Sequence, residues 1–157
     1  WPLPPVELPA FTISERRREF PATDTLIAIA IAANRPDQVL RWYDERRADR
    51  ATNWAYWGSA SDADIADAVV ESYPDRAIAI WQHLAGSEIA RVNTTAYEHA
   101  DGYLRKIRLV LQRLQREDEW VDLITNIRME HLRKRRLMEI LDIMEGIRTG
   151  GRRGGRT

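Results

Sequence analysis

The chain contains no cysteine. That excludes disulfide frameworks, zinc ribbons, iron–sulfur clusters and thiol nucleophiles together. Lysine is scarce, with 22 arginines against 2 lysines. The glycines form no G-x-G-x-x-G and no Walker-type loop, so nucleotide binding has no support. The longest uncharged apolar stretch is Thr25 to Asn34, far below the roughly 20 residues a membrane span needs. No basic-then-apolar signal segment opens the chain, which begins Trp1-Pro2-Leu3-Pro4-Pro5 without an initiator Met. A piece of a larger protein or a processed chain, with a cytoplasmic location, is therefore expected. No strand-like alternation survives a count, which leaves an all-α fold.

What is present is 157 residues, a length that suits one domain with a core of its own. The formal charge is zero, from 24 basic and 24 acidic side chains, which removes the simplest electrostatic case for nucleic acid as the main partner. The zero conceals an asymmetry. Residues 1–127 carry a balance of −5 and residues 128–157 a balance of +5. The basic end holds Arg133-Lys134-Arg135-Arg136 and then Gly150-Gly151-Arg152-Arg153-Gly154-Gly155-Arg156. Such segregation can mark a nucleic-acid or acidic-partner tail.

The first half hides a repeat. Asp24-Thr25-Leu26-Ile27-Ala28-Ile29-Ala30-Ile31 aligns with Asp62-Ala63-Asp64-Ile65-Ala66-Asp67-Ala68-Val69 at an offset of 38 residues. Without a gap, Pro36-Asp37-Gln38-Val39-Leu40 falls on Pro74-Asp75-Arg76-Ala77-Ile78, and Tyr43 falls on Trp81. The pattern predicts helix, sharp turn and helix, used twice. Proline suits the first helical position, and the residue before it cannot continue the preceding helix. Ser61 with Asp64 three residues on is a short-armed relative of the capping box. The small residues Ala28, Ala30, Ala66 and Ala68 let paired helices approach closely.

A third, longer unit follows. Tyr97, Ala100, Leu104, Ile107, Leu111 and Leu114 make a continuous apolar seam. Trp120, Leu123, Ile124, Ile127 and His131 form the next stripe. Leu137, Ile140, Leu141, Met144 and Ile147 form the last, ended by Gly150-Gly151. The expected helices are 24–34, 37–48, 62–73, 75–85, 94–115, 118–133 and 135–147, with ends uncertain by about two to four residues. Hairpins at about 24–48, 62–85 and 94–133 and a last helix at 135–147 make a helical-repeat domain over 21–147. It follows a Pro-rich lead-in over 1–20, with a short helix near 14–20, and precedes a flexible basic Gly/Arg tail over 148–157. Stacked hairpins of this length resemble a tetratricopeptide-like α-solenoid, although the consensus period of about 34 is not met.

The segment from Ile65 to Leu141 resembles the helical region that follows the zinc finger in bacterial and archaeal SWIM zinc-finger proteins. The resembling residues are Tyr73-Pro74-Asp75-Arg76-Ala77-Ile78-Ala79-Ile80-Trp81, then Ala96-Tyr97-Glu98-His99-Ala100-Asp101-Gly102-Tyr103-Leu104-Arg105-Lys106. Glu119-Trp120-Val121-Asp122-Leu123-Ile124 and Arg133-Lys134-Arg135-Arg136-Leu137 complete the pattern. The resemblance implies a role in nucleic-acid transactions or regulation, with the helical part as a partner-binding scaffold. The family's zinc ligands are cysteines and a histidine in a C-x-C…C-x-H arrangement, so no zinc-binding residue carries over to this chain.

The chemistry-bearing residues form no catalytic set. His83, His99 and His131 fall on different helices, and no carboxylate lies three or four residues before any of them, so the helical Glu-x-x-His arrangement is missing. The acidic clusters Asp62/Asp64/Asp67 and Glu117/Asp118/Glu119 lie at helix starts, where acids serve the helix dipole. Trp54, Tyr56 and Trp57 lie between the first two hairpins. They read either as a peptide anchor, since Trp and Tyr dominate binding hot spots, or as a plug between hairpins. Arg133, Lys134, Arg135 and Arg136, with Arg152, Arg153 and Arg156, are candidates for nucleic acid. Their alternatives are a solvated helix start paired with Glu130 and Glu139, and a plain terminus or linker. The reading as a whole is a non-enzymatic repeat scaffold without metal or cofactor that binds a protein partner. Self-association stays open. The alternative is a nucleic-acid accessory module acting through the basic C-terminal third.

Overall fold

A proline at the first position of a helix has nothing to lose, because its missing N–H would have had no intrahelical partner. The computed structural model describes residues 23–50 and 61–147, and in it Pro36 and Pro74 each open a helix. Among the described residues there are seven helices and no strand: α1 Thr23–Ala32, α2 Pro36–Arg50, α3 Asp62–Val69, α4 Pro74–Ala90, α5 Thr94–Arg113, α6 Glu117–Glu130 and α7 Arg135–Glu145. The protein is all-α over this range. The Pro-rich lead-in, the aromatic connection and the Gly/Arg tail lie outside the described residues.

Positions related by the 38-residue offset share their environments. Ile27 and Ile65 are fully enclosed, Val39 and Ala77 are buried, as are Leu40 and Ile78, and Tyr43 and Trp81 are both almost inaccessible. Ala28 breaks the equivalence, being exposed where its counterpart Ala66 is buried. Helix α3 packs on α1, α2 and α4, whereas the described neighbours of α1 are α2 and α3. The same small residue is thus lined by helices in one unit and not in the other.

Several helix ends differ from the spacing-based expectation. Helix α3 stops at Val69, short of the expected 73. The cause is Pro74, which holds Tyr73 out of the α region at φ −136° and ψ 65°. The chain ahead of it turns on bonds from the Ser72 and Tyr73 N–H groups to the Val69 carbonyl, at 3.1 and 2.7 Å. Helix α4 runs through Gly86 to Ala90, beyond the expected 85. Ala85 and Ile89 are both buried and carry the apolar face across the glycine, whose cost of about 1 kcal/mol relative to alanine is then tolerated. Helix α7 ends at Gly146 rather than at Gly150-Gly151. Gly146 takes the left-handed conformation at φ 72°, and the Ile147 N–H reaches back to the Asp142 carbonyl at 2.8 Å, the long bond of a Schellman cap. Asn34 at φ 52° and Gln115 at φ 58° close α1 and α5 in the same way, with bonds from Arg35 to Ala30 and from Arg116 to Leu111.

The second half is organised around α5, which packs on α4, α6 and α7. Its seam residues Tyr97, Ala100, Leu104, Ile107 and Leu111 are buried, while Leu114 sits exposed at the cap. Helix α7 contributes Leu137, Ile140, Leu141 and Met144, whereas α6 buries only Trp120 and Ile124. Helix α5 is thus packed by α7 as well as by α6. All of these side chains join one apolar core.

Two backbone sites carry avoidable strain or entropy. A Cβ at exposed Gly86 would meet no atom within 4 Å, so Gly86→Ala is expected to stabilise by about 0.5–1 kcal/mol. Val92 is β-branched and left-handed at φ 52°, a conformation costing such residues about 1–2 kcal/mol. Val92→Asn is expected to recover about 1 kcal/mol of that. Both effects should appear as a higher denaturant midpoint at unchanged m-value.

Candidate functional site

Asp24 and Asp62 are equivalent positions in the repeat, each in the first turn of its helix. Both point to one guanidinium. Arg46 Nη1 donates to Asp24 Oδ1 at 2.7 Å, and Nη2 donates to Asp62 Oδ1. The Arg46 side chain is 2% exposed, and its guanidinium also lies 5.5 Å from the centre of the Tyr43 ring. Burial raises the Tyr43 phenol above its ordinary pKa, with Asp62 adding to the effect, so the ring stays neutral beside the cluster. Val39, Tyr43 and Arg46 share one face of α2 by spacing, which puts the arginine in the apolar seam. That spacing was the available signal; Asp62 alone reads as a helix-start acid. The cluster ties α1, α2 and α3 together.

The remaining acids of the first cluster are also engaged. Ser61 caps α3, its Oγ accepting from the Asp64 N–H at 3.1 Å and its hydroxyl donating to Asp64 Oδ2 at 2.7 Å. Asp67 accepts twice from Lys106, at 2.7 and 2.8 Å. The Lys106 ammonium lies 5.6 Å from the centre of the Trp81 ring. In the second cluster, Glu119 accepts from Arg116 Nε and Nη2 at 2.6 and 2.7 Å, while Arg116 Nη1 reaches Asp75. These bonds lower the Glu119 pKa and raise that of Arg116. Glu117 and Asp118 are exposed.

The histidines are separated. The His83 carbonyl accepts from Ser87 Oγ at 3.0 Å, and His99 Nδ1 lies 3.6 Å from Glu88. His131 follows α6, where burial and then Lys134 push its pKa below the ordinary 6.5. Among the described residues no group of three or more His, Asp or Glu could hold a metal ion. No helix among them is long and apolar enough to cross a membrane.

The basic run is divided between structural and open roles. Lys134 Nζ donates to the Ile89 carbonyl at 3.0 Å, in the last turn of α4. Arg136 pairs with Glu139 at 3.0 Å. Arg133 and Arg135 are exposed and have no ion-pair partner among the described residues. Trp54, Tyr56 and Trp57, and likewise Arg152, Arg153 and Arg156, lie outside the described residues. Comparison with family models, with curated proteins and with solved structures returns no match.

Two outcomes follow from this geometry. Arg46→Ala leaves two acids facing each other without their cation and should cost about 3–5 kcal/mol of unfolding free energy, measured by chemical denaturation. For His131, the folded-state pKa lies below the unfolded value of 6.5. The unfolded chain therefore takes up the proton first as pH falls. Its contribution is present above the unfolded value and is lost as pH drops through the folded one. His131→Gln should remove that part of the pH dependence of stability.

Proposed function

We propose that the chain is a helical-repeat scaffold, a tetratricopeptide-like stack of antiparallel hairpins that binds a protein partner. The observation that carries this reading is the equivalence of the two offset units. Pro36 and Pro74 open corresponding helices, and Ile27 with Ile65 and Tyr43 with Trp81 occupy corresponding buried positions. A hairpin with one apolar face is stable only when a neighbour covers it, and repetition of that solution builds an extended surface. The order of packing, α1 on α2, α2 on α3, α3 on α4 and α4 on α5, supports the stack. Departure from a uniform solenoid comes at α5, where α6 and α7 both dock.

Membership in the SWIM zinc-finger group belongs to the same proposal. Of the residues that carry the resemblance, Ala77, Trp81, Tyr97, Ala100, Leu104, Trp120 and Leu137 are all buried. They support a shared helical framework more directly than a shared activity. A C-x-C…C-x-H cluster encoded upstream would support the assignment, and an unrelated upstream domain would count against it.

The partner reading is tested by replacing Trp54, Tyr56 and Trp57 together with alanine. If the three anchor a partner, capture of that partner weakens by about 2 kcal/mol or more while the melting temperature holds. If they plug the fold, the melting temperature falls instead. The second reading, a nucleic-acid accessory module, is favoured by the open side chains of Arg133 and Arg135. Because Lys134 and Arg136 are engaged within the fold, those two arginines alone predict a shallow salt dependence, with a log–log slope of about −2. A steep slope lost on deleting 148–157 would assign binding to the tail.

A further inference from the structure

Helix α6 rests on α5 with Trp120 and Ile124 and touches α7 through Arg128, which pairs with Asp142 and Glu145 at 2.8 and 2.6 Å. Among the described residues no other element covers its far side to a comparable extent. That side carries Val121, Met129 and, in the turn just after the helix, Leu132, which are 59%, 68% and 68% exposed. Thr125 lies between Val121 and Met129 and is also exposed. An exposed apolar stripe of this kind on an otherwise charged helix is a surface that a partner can cover.

The charges beside the stripe indicate what fits it. Glu117, Asp118 and Asp122 stand at its N-terminal end, and Arg133 and Arg135 stand just beyond its C-terminal end. All five are exposed, and none has an ion-pair partner among the described residues. The apolar part of the stripe is symmetric about Thr125. On the helix Val121 and Met129 lie one turn to either side of it, the acids Glu117, Asp118 and Asp122 lie toward the N-terminal end, and Arg133 follows in the turn past Glu130. A twofold axis through Thr125 would set Val121 against the partner's Met129 and would bring the acidic end, with Glu117, toward the arginine end of the second copy, with Arg133 and Arg135. Thr125 would meet its own copy, where a hydroxyl that both donates and accepts can pair with an identical one. Its methyl group continues the apolar stripe between Val121 and Met129. A parallel arrangement would set acid on acid and arginine on arginine. The surface is thus complementary to itself in one orientation, which is the requirement for an isologous interface.

We propose that the α6 face pairs with the α6 face of a second copy of this chain, antiparallel and centred on Thr125. The apolar stripe is small beside the roughly 800 Å² per partner of a standard interface, so the dimer is weak and depends on concentration. Because each substitution enters twice by symmetry, its effect is doubled. The dimer is independent of whichever outside partner the repeat scaffold takes.

Sedimentation velocity of the 157-residue chain over a concentration series tests this directly. The mass should rise with concentration from one 18.2 kDa chain toward two. Met129→Glu should hold the chain monomeric throughout with an unchanged helical spectrum, as expected for an exposed residue. Arg133→Glu and Glu117→Arg should each weaken association by about tenfold or more, the equivalent of 1.4 kcal/mol. The two together restore the pairing with signs exchanged, and should recover the dimer. A wild-type chain that stays monomeric at every concentration overturns the proposal. So does a dimer indifferent to Met129→Glu, or a reversal pair that fails to rescue. A monomer in which Met129→Glu abolishes capture of a different protein assigns the face to that protein and equally overturns it.

Discussion

Removing a guanidinium from water costs several kcal/mol, and the loss is recovered only when its donors meet acceptors in good geometry. Arg46 meets that condition with acids from two different helices, Asp24 of α1 and Asp62 of α3. These two acids stand at equivalent positions of successive units, so the arginine fixes how one unit sits on the next. Apolar packing alone would constrain this less, because hydrophobic contact is non-directional and a ridge can slide by a turn at modest cost. A buried charge with two directional bonds does not slide. Register is the best-attested benefit of such a group, whose net stabilisation is often small.

From that junction the core runs through α3 and α4 to α5, and there the packing changes character. Helix α5 is the longest described and buries residues along its length, so it offers more surface than one neighbour can cover. Helices α4, α7 and α6 all pack on it. Lys134 ties this region back to α4 through the Ile89 carbonyl, where the helix dipole favours a cation. Lys134 is thus the structural fitting of the basic run, and the open charges are the arginines on either side of it, Arg133 and Arg135.

The fold was legible where the signal was local. Pro36 and Pro74 opened helices because proline acts through its own ring, and the α5 seam lay buried because helical spacing alone puts those residues on one face. Legibility failed where distant residues had to meet. No spacing rule links Arg46 to Asp24, or Lys106 to Asp67, since both pairs form only after the helices dock. The helix expected to stop at 85 runs on through Gly86, because burial of Ala85 and Ile89 outweighs a local preference worth about 1 kcal/mol. Gly146 passed unnoticed beside the more conspicuous Gly150-Gly151. The exposed stripe on α6 was hidden for a related reason. Val121 and Met129 fall outside the stripe of Trp120, Leu123, Ile124 and Ile127, and the position of α5 shows that their face is left over.

The overall neutrality of the chain acquires a physical meaning in this setting. Along the sequence a balance of −5 over residues 1–127 stands against +5 over residues 128–157, and among the described residues the exposed acids Glu117, Asp118 and Asp122 and the exposed arginines Arg133 and Arg135 stand at opposite ends of one face. An anionic polymer drawn to the basic end must compete with acids of the same molecule, and part of its attraction is cancelled within a Debye length of about 8–10 Å. A second copy presents both signs at once, spaced as the first copy requires. Charges of both signs at the two ends of the α6 face suit the proposed pairing of like chains better than capture of a polyanion, and added salt weakens both. The discriminating property is orientation. A polyanion needs only a positive patch, whereas pairing of identical faces needs acid and base at opposite ends of the face, as Glu117 stands at the start of α6 and Arg133 just past its end.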